Sequence, residues 1–257
     1  MRPNEGYIRR EFEAYSDYDV VGGFNRVAPR YDLANDLITL GLHRRWRSEL
    51  CRAASRHTPR GGKVLDIATG TGEVIFQLAA GELTRLLVGL DPSRRMVEQA
   101  SRKSASRLPE SVRARVSFRE GDACALPFPD ASFDTVTISW GIRNIHPRDT
   151  GLREAFRVLR SDGRLFILES GVPEHPTLRK LHSGYSRVLP LIGRAVTGYR
   201  PAYQFYTHTA SLFPSGQAFL DELEGAGFEN RHYKALSGGI VYLYSAARGS
   251  RDFGQSG

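Results

Sequence analysis

Between Lys63 and Glu169, short runs rich in β-branched and aromatic residues alternate with longer stretches whose apolar positions recur at helical intervals. The pattern predicts strands over 63–68, 86–90, 115–119, 133–139 and 164–169. Crossover helices follow over 73–80, 93–107 and 148–160, the last stopped by Ser161-Asp162-Gly163. That order is βαβαβ, and parallel strands joined by helices wind into an open sheet. Ahead of it, from Phe24 to about residue 56, the spacing is again helical. Gly41 divides a shorter segment from a helix over 43–54, and Gly61-Gly62 closes the region. Beyond Glu169 come a helical region over 176–193, an aromatic-rich stretch over 199–213 and a helix over 215–225. Two last strands, 230–236 and 239–246, are separated only by a short Ser-Gly-Gly turn, so they must pair antiparallel. The expected fold is α/β, a doubly wound, mostly parallel seven-stranded sheet with an antiparallel C-terminal strand.

At 257 residues the chain suits one such domain. Gly22-Gly23 breaks a charged start without periodicity, so residues 1–22 are expected to form a flexible arm, and 248–257 a disordered tail. Hydrophobic residues at 40% and charged residues at 25% are ordinary for a globular enzyme, and no apolar run is long enough to span a bilayer. The first residues mix acids and bases without an apolar stretch, which disfavours a secretory signal and predicts a cytoplasmic protein. Two distant cysteines, Cys51 and Cys124, offer neither a disulfide framework nor a cysteine zinc site. The formal charge of +8 is scattered rather than gathered, which points away from nucleic acid and leaves an anionic membrane surface open.

Chemistry concentrates first in Asp66-Ile67-Ala68-Thr69-Gly70-Thr71-Gly72, where a strand turns into a helix and small residues let a ligand approach backbone N–H groups. A tight turn without a ligand is the plainer reading of a lone glycine-rich segment. The third glycine of a dinucleotide fingerprint is missing, Glu73 or Ile75 standing there, so NAD is disfavoured. Asp91 ends the second strand, where a carboxylate can accept from ribose hydroxyls, and Asp122 follows the third, where an acceptor can meet an adenine amino group. Either could instead be a helix-start or turn aspartate. Three carboxylates suit a cationic, phosphate-free nucleoside.

These segments resemble class I S-adenosylmethionine methyltransferases, whose fold is Rossmann-like. Two further stretches narrow the resemblance to the ubiquinone/menaquinone biosynthesis C-methyltransferase family. One is FNRVAPRYDLANDLITLGLHRRW, Phe24 to Trp46; the other is Gly141-Ile142-Arg143-Asn144, with Gly163-Arg164-Leu165-Phe166-Ile167-Leu168-Glu169 after the next helix. Matches continue through Val188–Gly193, Phe213-Pro214, Ala226-Gly227-Phe228 and Ser237–Val241. The resemblance implies S-adenosyl-L-methionine as cofactor, held by Tyr31, Asp66, Ala68, Thr69, Gly70, Gly72, Asp91, Pro92, Asp122, Ala123 and Ser139. It implies no metal, and a prenylated quinol as acceptor. It divides the domain into a cap over 23–60, a cofactor-binding core over 61–170, an acceptor-side insertion over 171–214 and a C-terminal helix and hairpin over 215–247. Departures fall on the acceptor side: Tyr199 stands where the family often has aspartate, Ser170 for phenylalanine and His208 for an acid. They leave open a different phenolic or secondary-metabolite acceptor, and a non-catalytic cofactor-binding member of an assembly is the reading from another class. Peripheral membrane association and a homodimer are compatible with the chain.

An aromatic carbon becomes nucleophilic once an adjacent hydroxyl loses its proton, to a side chain or through water. Arg143 has no acceptor capacity, so its expected part is to stabilise the phenolate while Asn144 positions a water or hydroxyl; a purely structural loop link is the alternative. His146 is a candidate proton acceptor, although a histidine at a helix start reads as exposed, and His43, His182 and His208 are weaker candidates. Tyr31, with Phe24 and Arg30, can close over a sulfonium, or merely pack cap against sheet. Tyr203, Phe205, Tyr206 and Phe213 suit a flat ring or prenyl tail, or plain core.

Overall fold

The computed structural model describes residues 18–81 and 84–249. Most of the expected arm and tail lies outside the described residues. Seven strands form one sheet: β1 Gly62–Ile67, β2 Thr84–Asp91, β3 Val116–Glu120, β4 Phe133–Ser139, β5 Leu159–Ser170, β6 Phe228–Leu236 and β7 Val241–Arg248, in the order β3-β2-β1-β4-β5-β7-β6. β7 runs antiparallel to both β5 and β6, while β3, β2, β1, β4 and β5 pair in parallel. β1 and β4 are buried almost along their whole length, as central parallel strands covered on both faces must be. The chain winds outward in opposite directions from β1 and β4. A crevice therefore opens at their C-terminal ends, the place where open α/β sheets hold ligands.

Side-chain alternation along the strands feeds two cores. Leu65, Ile67, Val136 and Ile138 pack with Phe156 of α7 (Arg148–Val158) and Phe219 of α10 (Gln217–Gly225). On the other face Val64, Phe166 and Leu168 meet Leu50 of α3 (Leu42–His57) and Ile75 of α4 (Glu73–Ala79). A third cluster joins α1 (Val20–Val27), α2 (Tyr31–Thr39), α5 (Arg94–Arg107), α8 (Pro176–Thr197) and α9 (Arg200–Leu212) through Val27, Ile38, Met96, Leu189 and Tyr203. This cluster roofs the crevice. A short α6, Glu110–Arg113, precedes β3.

Two local expectations need correction. Gly22-Gly23 does not break the chain: α1 starts at Val20, capped by Asp19, whose Oδ1 accepts from the Gly22 N–H at 2.8 Å. A Cβ at Gly23 would lie 2.1 Å from the Tyr18 hydroxyl, so the small residue serves close packing inside a helix. Nor does Ser161-Asp162-Gly163 form a helix exit. α7 stops at Val158, and the three residues are absorbed into β5, whose pairing with β4 jumps from Phe133↔Leu159 to Thr135↔Arg164. The surplus residues make a bulge at the strand's beginning, and pairing is regular from Arg164 to the crevice. The hairpin forms as expected, and the aromatic stretch proves to be helix α9, separated from α8 by Gly198 at φ 76°.

Candidate active site

Three residues of the turn after β1 have left-handed backbone: Ala68 at φ 54°, Gly70 at 56° and Gly72 at 85°. Glycine adopts this at no steric cost, while Ala68 does so under strain, a usual mark of a functional turn. Neighbours force the small residues. A Cβ at Gly72 would lie 2.9 Å from the Phe118 ring, and one at Gly89 would lie 2.6 Å from that ring. One at Gly141 would sit 2.4 Å from the Ala68 Cβ, so the loop after β4 touches the loop after β1.

Asp66 is buried beneath the turn. Its two oxygens accept hydroxyl protons from Thr69 and Thr137, each at 2.7 Å, so its carboxylate shapes the turn rather than projecting into the crevice. Burial pushes its carboxyl up to about 7, against the two hydroxyl bonds. Asp91 accepts the Gly70 N–H at 2.8 Å and the Ser93 N–H at 2.9 Å, tying the turn to the start of α5. Burial lifts it to about 6. Neither carboxylate forms an ion pair among the described residues, although Arg47 acts on Asp66 through space. Ser93 caps α5 by accepting the Met96 N–H at 3.2 Å and donates to Asn25 Oδ1 at 2.8 Å, which brings α1 over the end of β2. Pro92 beside it is exposed.

α2 closes the turn from above. Tyr31 lies over Gly70, its Cε1 4.0 Å from where a Cβ would be, and makes an edge contact with Phe24 at 6.2 Å between ring centroids. Asp32 accepts from Thr71 at 2.7 Å and pairs with Lys103. Lys103 in turn reaches Glu73 at 2.9 Å, so cap, turn and α5 share one charge network. A cavity of 360 Å³ remains between them, and it gathers Tyr31, Ala68, Thr69, Gly70 and Ser139 from the expected set.

Across the crevice the chain leaves β4 through Trp140 at φ 53° and a single 3-10 turn, Ile142–Asn144. Arg143, 4% exposed, pairs with the fully buried Glu169 at the end of β5. The same Glu169 Oε1 accepts the Ser170 N–H at 2.7 Å, and the guanidinium lies 4.6 Å from the ring centroid of Tyr206 on α9. Burial opposes the charge on Arg143, but the carboxylate beside it outweighs burial and holds the guanidinium protonated. Three buried polar atoms here lack a partner: Ser139 Oγ, Arg143 Nε and Asn144 Oδ1. Of these three residues Ser139 lines the cavity, and an unsatisfied group there calls for something to bond.

Other expected residues lie apart. Asp122 is exposed and accepts the Cys124 N–H at 2.8 Å, the geometry of a turn aspartate, while Ala123 is buried in the core. His146 is exposed, and His43 is buried against Thr39 Oγ1 at 2.7 Å, with burial lowering its pKa. His182 is half-buried on α8. Sequence reasoning passed over Glu169 and Asn25 as site residues. A carboxylate ending an otherwise apolar strand was the visible signal for Glu169; Asn25 had none beyond its place in the N-terminal signature.

A model of the ubiE/COQ5 methyltransferase family matches residues 13–248. The ubiquinone/menaquinone biosynthesis C-methyltransferase of Bradyrhizobium diazoefficiens is 42% identical over 231 residues, covering 88% of this chain and 89% of the relative. That of Roseobacter denitrificans is 39% identical over 230 residues, covering 88% and 89%. Among solved structures, an S-adenosylmethionine-dependent methyltransferase from Thermotoga maritima superposes with a TM-score of 0.60 at 20% identity, covering 89% of this chain and 99% of that one. That likeness shows the fold.

Proposed function

The chain belongs to the ubiE/COQ5 methyltransferase family, and we propose that it moves a methyl group from S-adenosyl-L-methionine to a ring carbon of a prenylated quinol in menaquinone or ubiquinone biosynthesis. The observation that carries this reading is Arg143, a protonated guanidinium immobilised by Glu169 and Tyr206, whose Nε–H has no partner among the described residues, as Oδ1 of the next residue Asn144 has none.

The residues present fit the donor. Asp66 and Asp91 are buried acids outside any ion pair among the described residues, Arg47 acting on Asp66 only through space, so each places negative charge beneath the turn when it ionises. Asp91 keeps unused lone pairs for hydroxyl donors, and Ser139 Oγ has none of its bonds made. The face of Tyr31 tolerates a cation above Gly70. When bound, S-adenosylmethionine supplies a methyl group on a sulfonium, ready for in-line displacement without a metal. On this chain Arg143 Nε–H would donate to the acceptor's oxygen while the hydroxyl proton passes to solvent through water, lowering the cost of the phenolate charge that activates the ring carbon. Asn144 Oδ1 accepts from a hydroxyl or water and sets its direction. Arg143 and Asn144 thus act on the acceptor, and Tyr31, Ala68, Thr69, Gly70, Gly72, Asp91 and Ser139 on the donor.

A second acceptor class has an observation behind it. Ser170 Oγ lies 3.1 Å from the Tyr206 hydroxyl, so two hydroxyls stand on the wall where family members often carry phenylalanine. That suits a phenol with an additional polar substituent. Methyl transfer from labelled S-adenosylmethionine to a demethylated quinol and to simple phenols separates the readings. Turnover of the quinol supports the first, turnover of phenols alone the second, and turnover of neither overturns both.

A further inference from the structure

The helices that roof the crevice turn an apolar face outward. On α2 and the turn behind it Leu33, Leu37 and Leu40 are exposed, and on α8 so are Leu181, Val188 and Leu191. Tyr185 of α8 donates its hydroxyl to the Ile38 carbonyl of α2, so the two helices lie side by side and their leucines form one surface. Single exposed leucines need no explanation, but a contiguous group of this size does. Leu40 sharpens the point: it is 86% exposed and left-handed at φ 50°, a position where glycine or asparagine would be unstrained. A strained, outward leucine gains nothing from the folded chain itself.

Charge tells what the surface meets. Lys180, Arg187 and Arg194 recur at heptad spacing, form an exposed stripe along α8, and flank Leu181 and Val188 one position later. Neither α8 nor α9 contains an Asp or Glu. The acids of α2 point elsewhere, Asp32 to Lys103 and Asp36 to Arg44. Beside the stripe a groove of 480 Å³ between α8 and α9 presents Arg187, Arg200 and Ser183, two guanidinium groups and a hydroxyl suited to a phosphate, while Ser186 donates its hydroxyl to the His182 carbonyl. A second copy of the chain would set this acid-free, basic surface against itself. No helix among the described residues is long and apolar enough to cross a membrane, so the surface is one for lying on a bilayer.

We propose that the α2–α8 face docks on an anionic lipid bilayer, its leucines entering the acyl boundary, its basic stripe meeting the headgroups and the α8–α9 groove taking a lipid phosphate. Inner sides of the same three helices carry Tyr31 and Tyr206. Docking therefore sets the roof of the crevice against the membrane, and a lipid-chained acceptor enters from there. Only this purpose rests on the proposed acceptor; the docking does not.

The test is cosedimentation of the full chain with vesicles of phosphatidylcholine alone and of phosphatidylcholine with phosphatidylglycerol. Binding should require the anionic lipid and weaken with salt. The triple variant Leu40→Ser/Leu181→Ser/Leu191→Ser should bind more than about tenfold more weakly. Lys180→Glu, Arg187→Glu and Arg194→Glu should each cost about fivefold. Inorganic phosphate competing away all vesicle binding would make the groove a free-phosphate site and overturn the lipid assignment. Equal binding to both vesicles, unchanged binding of the variants, or a dimer that the leucine variant dissociates would also overturn the proposal. Transfer to a short-chain quinol in solution, kept by the variants within about twofold, shows that they fold. If no quinol is methylated by any form, thermal unfolding midpoints of the variants matching the parent's show instead that they fold, and with vesicle binding as expected the acceptor fails and the docking stands.

Discussion

The two sides of the crevice are built from different materials. On the side proposed for the donor the parts are backbone and short side chains: left-handed Ala68, Gly70 and Gly72, with Asp66 and Asp91 holding hydroxyls and N–H groups at 2.7–2.9 Å. On the side proposed for the acceptor they are long side chains from three elements, Arg143 after β4, Glu169 at the end of β5 and Tyr206 on α9, held by charge and stacking. The first construction fixes a ligand's backbone-sized contacts with little freedom to vary. The second depends on one buried charge pair whose members are each costly without the other.

The largest expected effect tests that dependence. Arg143→Ala should lower methyl transfer about a hundredfold or more while leaving donor affinity near its original value. It should also cost about 3–5 kcal/mol of stability, read by denaturant titration, because Glu169 is left buried and unpaired. An apolar pair, Arg143→Met with Glu169→Leu, should recover most of the stability and none of the activity; recovery of both would reduce Arg143 to a structural link. Gly141→Ala comes next. Its Cβ collides with Ala68, so it should cost about 1–3 kcal/mol and lower donor affinity and turnover together. Affinity kept intact there would mean that the two loops are independent.

A third experiment varies pH. Asp66 and Asp91 have folded-state values of about 7 and about 6, above the ordinary 3.8. The folded state therefore retains protons that the unfolded chain has released. This contribution to stability is full below the unfolded value and is lost as pH rises through the folded values. A cationic donor favours the ionised form, so its affinity should move the opposite way, weakening by about tenfold per unit below the Asp91 value. Calorimetric titration across that window measures it, and Asp91→Asn should flatten the slope. Smallest is Tyr206→Phe, which keeps the ring over Arg143 and loses the 3.1 Å contact with Ser170. It should cost about 1 kcal/mol or less and appear in the acceptor KM alone.

The contrast also explains what could be read in advance. β4 lies on the expected residues 133–139, because Phe133, Thr135, Val136, Thr137 and Ile138 crowd aromatic and β-branched side chains into one short run. The glycine turn was legible for a similar reason, its chemistry being local. The bulge at Ser161–Gly163 was not, since the same residues stop a helix or bend a strand, and pairing with β4 decides between them. The different settings of the three carboxylates were not legible either, since acids at strand ends look alike in sequence while Asp66 and Asp91 are buried and Asp122 is exposed. Glu169 was missed because a lone acid reveals its partner only through the neighbouring strand.

The contact between Gly141 and Ala68 bears on how such an enzyme can diversify. Ser170 and Tyr206, on the wall proposed for the acceptor, contact each other. At the contact of Gly141 with Ala68, where an added Cβ would sit 2.4 Å from its opposite number, neither loop can grow unless the other retreats. New acceptor preferences are free to arise around the rim, and the spot where the halves meet keeps the inherited chemistry in register.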